Sequence, residues 1–248
     1  MIYGKNFADV YSKHLIHFSI QVAPRIFKLL SSKNTNKEIL DLCCGTGQLA
    51  YYFLTKGYKV TGIDFSEDML YHAKKLNKSF IETEKAEFYC DDARYFSLNK
   101  KYPNIVSTYD ALNHLEDDLS LQQCFQQVFE HLEENGIFIF DLNTKLGLSK
   151  GGTFIREDEA IFSIIQSMSE PSRNKAFTRY YGFVKDDSSH VYYKYDEVVY
   201  NTIYKMEKVR EYLYDTGFVS VEFAHLNNLL KRVEEPEKEE RVFIIATK

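Results

Sequence analysis

Apolar residues near the start of the chain recur at helical spacing. Phe7, Val10, Tyr11, Leu15 and Phe18 fall on shared faces, and residues 5–30 read as two helices. A polar connector over 31–37 follows, and then a regular alternation begins. Short apolar runs at 38–42, 58–63, 86–90, 105–109 and 137–142 read as buried strands. Between them lie helical patterns. One covers 47–56; one opens at Ser66-Glu-Asp-Met69, with Ser66 as N-cap and acids in the first turn; one covers 117–134 and closes on Asn135-Gly136. Strands alternating with helices across short loops predict an α/β fold, with a largely parallel sheet covered on both faces.

The alternation breaks near residue 150. Residues 150–200 are β-rich, with Tyr/Phe/Val runs at 177–184 and 191–200 flanking a turn signal at 186–189. A helix over 203–215, stopped by Gly217, and strands at 218–226 and 242–246 finish the pattern, while the mixed-charge run 231–241 reads as a solvated loop. The expected organisation is an N-terminal helical cover (1–35), a core built from 36–149 and 201–248, and an inserted β lid (150–200).

Composition narrows the setting. The chain has 248 residues, 44% hydrophobic and 27% charged, with 4 Pro and 11 Gly, which excludes collagen-like and disordered classes. A net charge of −5 gives no general attraction to a phosphate backbone, and no basic patch stands out, so no nucleic-acid partner is expected. Four Cys, with Cys43 and Cys44 adjacent, do not form a disulfide framework. No signal-like stretch or 18-residue apolar run occurs, so a cytoplasmic protein without a membrane partner, monomeric or a homodimer, is expected.

The informative segment is Ile39-Leu-Asp-Leu-Cys-Cys-Gly-Thr-Gly-Gln-Leu-Ala50, which leaves a strand and opens a helix. Its glycines permit a tight turn and close backbone approach to a ligand, and Asp64, 17 residues past Gly47, could accept from ribose hydroxyls. The bare pattern also fits a dinucleotide fingerprint. The carboxylates separate the two readings. Asp41, Asp64, Asp91, Asp92 and Asp110 all sit at strand ends that face one crevice in a doubly wound sheet. A pyrophosphate would be repelled there, and the loop holds no Arg or Lys to offset it. S-adenosylmethionine, with a sulfonium and an ammonium against one carboxylate, suits an acidic rim better.

Leu40-Asp-Leu-Cys-Cys-Gly-Thr-Gly47, Val60-Thr-Gly-Ile-Asp-Phe-Ser-Glu-Asp-Met-Leu70, Phe88-Tyr-Cys-Asp-Asp-Ala93, Asn104-Ile-Val-Ser-Thr-Tyr109 and Leu132-Glu-Glu-Asn-Gly-Ile-Phe-Ile-Phe-Asp141 occur in that order. In them the sequence resembles the class I S-adenosylmethionine-dependent methyltransferases. The resemblance implies a Rossmann-like, doubly wound, seven-stranded and mostly parallel sheet, with a small antiparallel β insertion after strand five. It implies S-adenosylmethionine as cofactor and S-adenosylhomocysteine as product. Asp41 and the backbone around Cys43 and Gly45 would hold the methionine amino end, Asp64 the ribose, and Gly47 is a further cofactor-binding position in the loop. Phe65 and Met69 would flank the adenine, with Asp92 and Ala93 at its amino edge, and Tyr109 would line the methionine moiety. Tyr3, in the N-terminal cover, is a further cofactor candidate. Cys43 departs from the family's usual Gly or Ala, and Asn104 from its common Asp.

For the acceptor, Tyr109-Asp-Ala-Leu-Asn-His-Leu115 presents Asp110, Asn113 and His114. His114 is the candidate general base and Asp110 a candidate partner for a substrate ammonium; Tyr11 completes the catalytic candidates. Some of Tyr11, Tyr180, Tyr181 and Tyr193 are expected to face the acceptor. No Pro precedes a Cys, and no Asn/Asp-Pro-Pro-aromatic motif is present, which argues against the nucleobase-modifying types. No metal is expected, since Asp141 and Asn143 lack a supporting acidic pair. The expectation is methyl transfer to N or O of a small molecule. RNA or protein methylation, a nicotinamide oxidoreductase and a non-catalytic cofactor-binding module are the alternatives.

Overall fold

The computed structural model describes residues 4–33, 36–186, 189 and 191–248. Tyr3 and the two central residues, 187 and 188, of the turn expected at 186–189 lie outside the described residues. The N-terminal pattern forms α1 (Lys5–His14) and α2 (His17–Lys33). The alternating region follows as β1 (Glu38–Leu42), α3 (Gln48–Thr55), β2 (Lys59–Asp64), α4 (Glu67–Leu76), α5 (Lys78–Glu82), β3 (Ala86–Cys90), β4 (Tyr102–Ser107), α6 (Asp118–His131) and β5 (Leu132–Asn143). After the short α7 (Lys145–Leu148) come four strands of a separate sheet: β6 (Gly152–Glu157), β7 (Ile161–Glu170), β8 (Lys175–Lys185) and β9 (Tyr192–Thr202). The chain ends with α8 (Met206–Thr216), β10 (Ser220–His225), β11 (Asn228–Arg232) and β12 (Arg241–Thr247).

The main sheet runs β11-β10-β12-β5-β4-β1-β2-β3. Its members from β5 to β3 are parallel, whereas β12, β10 and β11 join antiparallel. This is the Rossmann-like α/β arrangement, with an eighth strand beyond the seven expected. The order reverses between β1 and β4, which opens a crevice at the carboxyl ends of those strands. Helices cover both faces. The aliphatic and aromatic faces of α6 and α8, including Phe125, Val128 and Leu213, pack on one side. Those of α2, α3 and α4, including Ile26, Phe53 and Leu70, pack on the other. The second sheet, β6-β7-β8-β9, is an antiparallel meander. It shares a smaller core with α1, in which Phe7 and Val10 meet Met69, Ile161, Val184, Tyr195 and Val199.

Local chemistry accounts for most boundaries. Ser66 Oγ accepts from Met69 N at 3.3 Å and Asp117 Oδ1 from Ser120 N at 2.8 Å, so α4 and α6 start on side-chain caps. Three stretches differ from the sequence pattern. The helix expected over 117–134 stops at His131, because Leu132 is recruited into β5 opposite Tyr102; Asn135 then sits within the strand at φ 63° instead of closing a helix. Pro103 lies in a central strand, where its missing N–H is tolerated at a register shift between Tyr102 and Asn104. The run 231–241 is not one solvated loop: its ends belong to β11 and β12, and Arg241 is mostly buried.

Gly217 ends α8 at φ 119°, and a Cβ there would lie 2.8 Å from the Phe129 ring. Gly217→Ala is expected to destabilise the fold by at least about 1–2 kcal/mol from backbone strain alone. Urea unfolding checks this, and an unchanged midpoint would contradict the assigned helix end.

Candidate active site

Strand β1 delivers the chain into a turn with three left-handed residues, Cys43 (φ 60°), Gly45 (φ 53°) and Gly47 (φ 81°). A side chain at Gly47 would fall 2.9 Å from Ala73 Cβ, so glycine lets α3 and α4 approach there. Asn77 Nδ2 bridges the same contact, donating to Gly47 O at 3.2 Å and Ala73 O at 2.9 Å. At Cys43, where the sequence departs from Gly or Ala, a side chain occupies a backbone conformation that glycine adopts more easily. Burial pushes the Cys43 and Cys44 thiols well up, so neither is poised as a thiolate.

At the end of β2, Asp64 fastens this loop. Its Oδ2 accepts from Gly45 N at 2.8 Å and its Oδ1 from Ser66 N at 2.9 Å. Asp41 is buried behind the loop with its Oδ2 lacking a hydrogen-bond partner. Burial, reinforced by the nearby Asp64 charge, pushes the Asp41 carboxyl up to about 8. Past β3, Asp92 is clasped by Arg94 from its own loop, Nη2 to Oδ2 at 2.7 Å and Nε to Oδ1 at 3.0 Å, and this pairing lowers its pKa. Beside it Asp91 Oδ1 accepts from Asp92 N at 2.8 Å.

After β4 the backbone enters two consecutive left-handed residues, Tyr109 (φ 68°) and Asp110 (φ 48°). Their N–H groups both donate to Asp141 at the end of β5, at 2.7 and 3.0 Å. Arg241, from β12, donates to Asp141 Oδ2 at 2.5 Å and to Asp110 Oδ1 at 2.7 Å. Its guanidinium lies 4.4 Å from the Phe18 ring centre and 5.7 Å from that of Tyr109, and the two rings stack at 4.9 Å. Asn201 of β9 donates to Asp110 Oδ2 at 3.2 Å. Burial pushes Asp141 up to about 6, against the opposing pull of Arg241. Asp110 thus faces a cation of the protein itself, which leaves little for the expected pairing with a substrate ammonium.

Asp110 also begins a short 3₁₀ turn that carries His114. His114 Nδ1 lies 2.9 Å from Tyr200 O. A carbonyl can only accept, so Nδ1 carries the hydrogen and the neutral ring keeps its lone pair on Nε2.

These groups converge on one cavity of about 340 Å³. Cys43, Gly45, Asp64, Phe65, Met69, Asp92, Ala93, Tyr109, Asp110, His114 and Tyr11 all line it. Asp41 and Gly47 are set behind the lining, shaping the loop. Phe7, Tyr11 and Leu15 of α1 and Met168, Phe177, Tyr180 and Val199 of the second sheet form other walls. Of the four tyrosines expected at the acceptor, Tyr11 and Tyr180 line the cavity, while Tyr181 and Tyr193 do not. The sequence marks Phe18 only as part of an apolar helix face and gives no site role to Arg241 or Asn201. Arg241 gave no local signal because it ends a run of surface-like charges.

Residues 39–136 match the family described as methyltransferase domain. The chain is 29% identical to YqeM of Bacillus subtilis (strain 168), across 88% of this chain and 87% of that one. The crystal structure of an S-adenosylmethionine-dependent methyltransferase from Clostridium acetobutylicum ATCC 824 superposes with a TM-score of 0.81 at 26% identity, covering 98% of this chain and 97% of that chain. The chain is a class I S-adenosylmethionine-dependent methyltransferase. The methyltransferase is also 30% identical, over 42% of its length and 41% of the other chain, to dTDP-3-amino-3,4,6-trideoxy-α-D-glucopyranose N,N-dimethyltransferase of Streptomyces venezuelae.

The residues present fit the cofactor. Asp64 offers acceptor oxygens at the cavity wall beside the backbone of Cys43 and Gly45, and Asp41 Oδ2 behind the loop is a buried polar atom without a hydrogen-bond partner in the protein. Among the described residues no group of three or more His, Cys, Asp or Glu is placed to hold a metal ion, and no helix is long and apolar enough to cross a membrane.

The Asp41 carboxyl sets a pH dependence. With a folded value near 8 and an unfolded value near 3.9, the folded state keeps a proton that the unfolded chain releases. Its contribution to stability is full below about pH 4 and is lost as pH rises toward 8. Asp41→Asn removes this loss. The variant should gain stability relative to the parent between about pH 5 and about pH 8, by up to about 1.4 kcal/mol per pH unit. Urea unfolding at both pH values checks it; a constant difference would mean the carboxylate is ionised throughout.

Proposed function

We propose that this methyltransferase transfers a methyl group to a nitrogen or oxygen of a small molecule, with an amine as the favoured acceptor. The observation that carries the reading is the walled cavity. Its volume is about 340 Å³, and α1 and the second sheet stand over the glycine loop, leaving room for a small ligand rather than a polymer surface. The name of the Streptomyces venezuelae relative supports an amine.

In this reading Asp64 accepts from the ribose hydroxyls and the backbone at Cys43 and Gly45 holds the methionine amino end, with Asp41 supporting that loop from behind. Phe65 and Met69 flank the adenine, Asp92 and Ala93 meet its amino edge, and Tyr109 lines the methionine moiety. Bound S-adenosylmethionine supplies a methyl already activated by its sulfonium. The protein aligns the acceptor in line with it and keeps water out. Tyr11 and Tyr180 do the second task, Tyr11 over the glycine loop and Tyr180 from the second sheet. Attack by an amine requires a free lone pair and disposal of a proton. His114 Nε2 takes that proton, while the bond to Tyr200 O fixes the tautomer. Asp110, matched by Arg241, shapes the turn.

Asp64→Ala should weaken binding of S-adenosylmethionine by about 1.5–3 kcal/mol, read by calorimetry; unchanged affinity would remove Asp64 from the ribose. His114→Ala should lower turnover by about 10²–10⁴-fold with little change in cofactor affinity. Wild-type rates in that variant would leave His114 a structural residue. The acceptor is sought by screening amines, amino sugars, alcohols and carboxylates for release of S-adenosylhomocysteine. Turnover confined to RNA or protein substrates would defeat the small-molecule reading.

A further inference from the structure

We propose that Arg241 is a positioning residue for methyl transfer: it holds the turn at Tyr109 and Asp110 against the methyl-bearing end of the cofactor. The proposal rests on the reading above that Tyr109 lines the methionine moiety. Tyr109 and Asp110 are consecutive non-glycine residues in left-handed conformation, a pairing that persists only where the surroundings enforce it. Asp141 enforces the backbone by accepting both N–H groups, but Asp141 is itself a buried carboxylate beside a second one, Asp110. Without a cation between them the two would repel, and the turn would lose its anchor.

Arg241 supplies that cation with a geometry lysine cannot reproduce. One guanidinium nitrogen donates to Asp141 and another to Asp110, while the guanidinium lies near the Phe18 and Tyr109 rings. The clamp therefore sets a side chain as well as a backbone. Tyr109 stacks on Phe18, with the Arg241 guanidinium near both rings, and lines a wall of the cavity. The effect extends to His114, because the 3₁₀ turn that carries it starts from Asp110, whose carbonyl accepts from Asn113 N at 2.9 Å.

A residue that merely stabilised the fold would alter binding of every cofactor form alike. A residue that sets the methyl-facing wall would alter S-adenosylmethionine, which carries the methyl and the sulfonium charge, more than S-adenosylhomocysteine, which has neither. Calorimetry on the full chain with both ligands separates the two. Arg241→Lys should weaken S-adenosylmethionine about tenfold or more and S-adenosylhomocysteine by less than about threefold. In Arg241→Ala, sub-denaturing guanidinium should restore the preference for S-adenosylmethionine, and methylammonium at equal concentration should not. The combined Arg241→Gln and Asp141→Asn variant removes the most buried ion pair while keeping hydrogen-bonding side chains, so a folded protein without the clamp can be measured; it should show the same loss of preference. Parallel losses for both ligands, unchanged affinities, or equal rescue by methylammonium would overturn the proposal while leaving the cavity's reading intact. Wild-type protein that bound neither ligand would overturn both.

Discussion

Much of the crevice is organised by the carboxylate of Asp141. It ends a central strand, is buried, and accepts from two successive backbone N–H groups of the turn after β4. Charge-assisted bonds of this kind are stronger than neutral ones and compensate for a backbone that would otherwise avoid the left-handed region. Arg241 balances the charge, Asp110 shares the guanidinium, and Asn201 ties Asp110 to the second sheet. Three chain segments distant in sequence, at residues 109–110, 201 and 241, are thereby fixed relative to β5.

The same bookkeeping explains the character of the cavity. Of its basic side chains, Arg94 is committed to Asp92, Arg241 to Asp110 and Asp141, and Lys150 to Glu240. The acids are less fully matched: among the described residues Asp64 and Asp91 accept from backbone N–H groups alone. The wall therefore remains electrostatically suited to a cationic nucleoside and hostile to a pyrophosphate. Its acidity arises from which charges are paired, which the net charge of −5 could not reveal.

What the sequence made legible was local. Strand ends, the Ser66 cap, the glycine loop and the acids beside it follow from short-range chemistry, and the largely parallel sheet covered on both faces follows from their alternation. What it hid was decided by pairing between distant segments. Leu132 reads as the end of a helix until β4 is there to recruit it. Arg241 reads as surface charge until β12 lies beside β5 and places it over Phe18. Asp92 reads as an open acceptor, although Arg94 stands only two residues away; the loop must close before the two meet. The second sheet was visible as a β-rich stretch, but which of its tyrosines face inward depends on register. Tyr180 lies opposite Glu197 and Tyr181 opposite Asp196, on alternate faces of β8.

The stacked trio of Phe18, Tyr109 and Arg241 has a spectroscopic consequence. The chain has no Trp among its 38 aromatic Phe and Tyr residues, so its ultraviolet emission comes from tyrosine alone. An indole introduced at Phe18 would be the sole long-wavelength emitter in the protein, in contact with a phenol ring on one side and a guanidinium on another. Quenching and polarity at that single indole, excited beyond the tyrosine absorption band, would report the seating of the turn in real time.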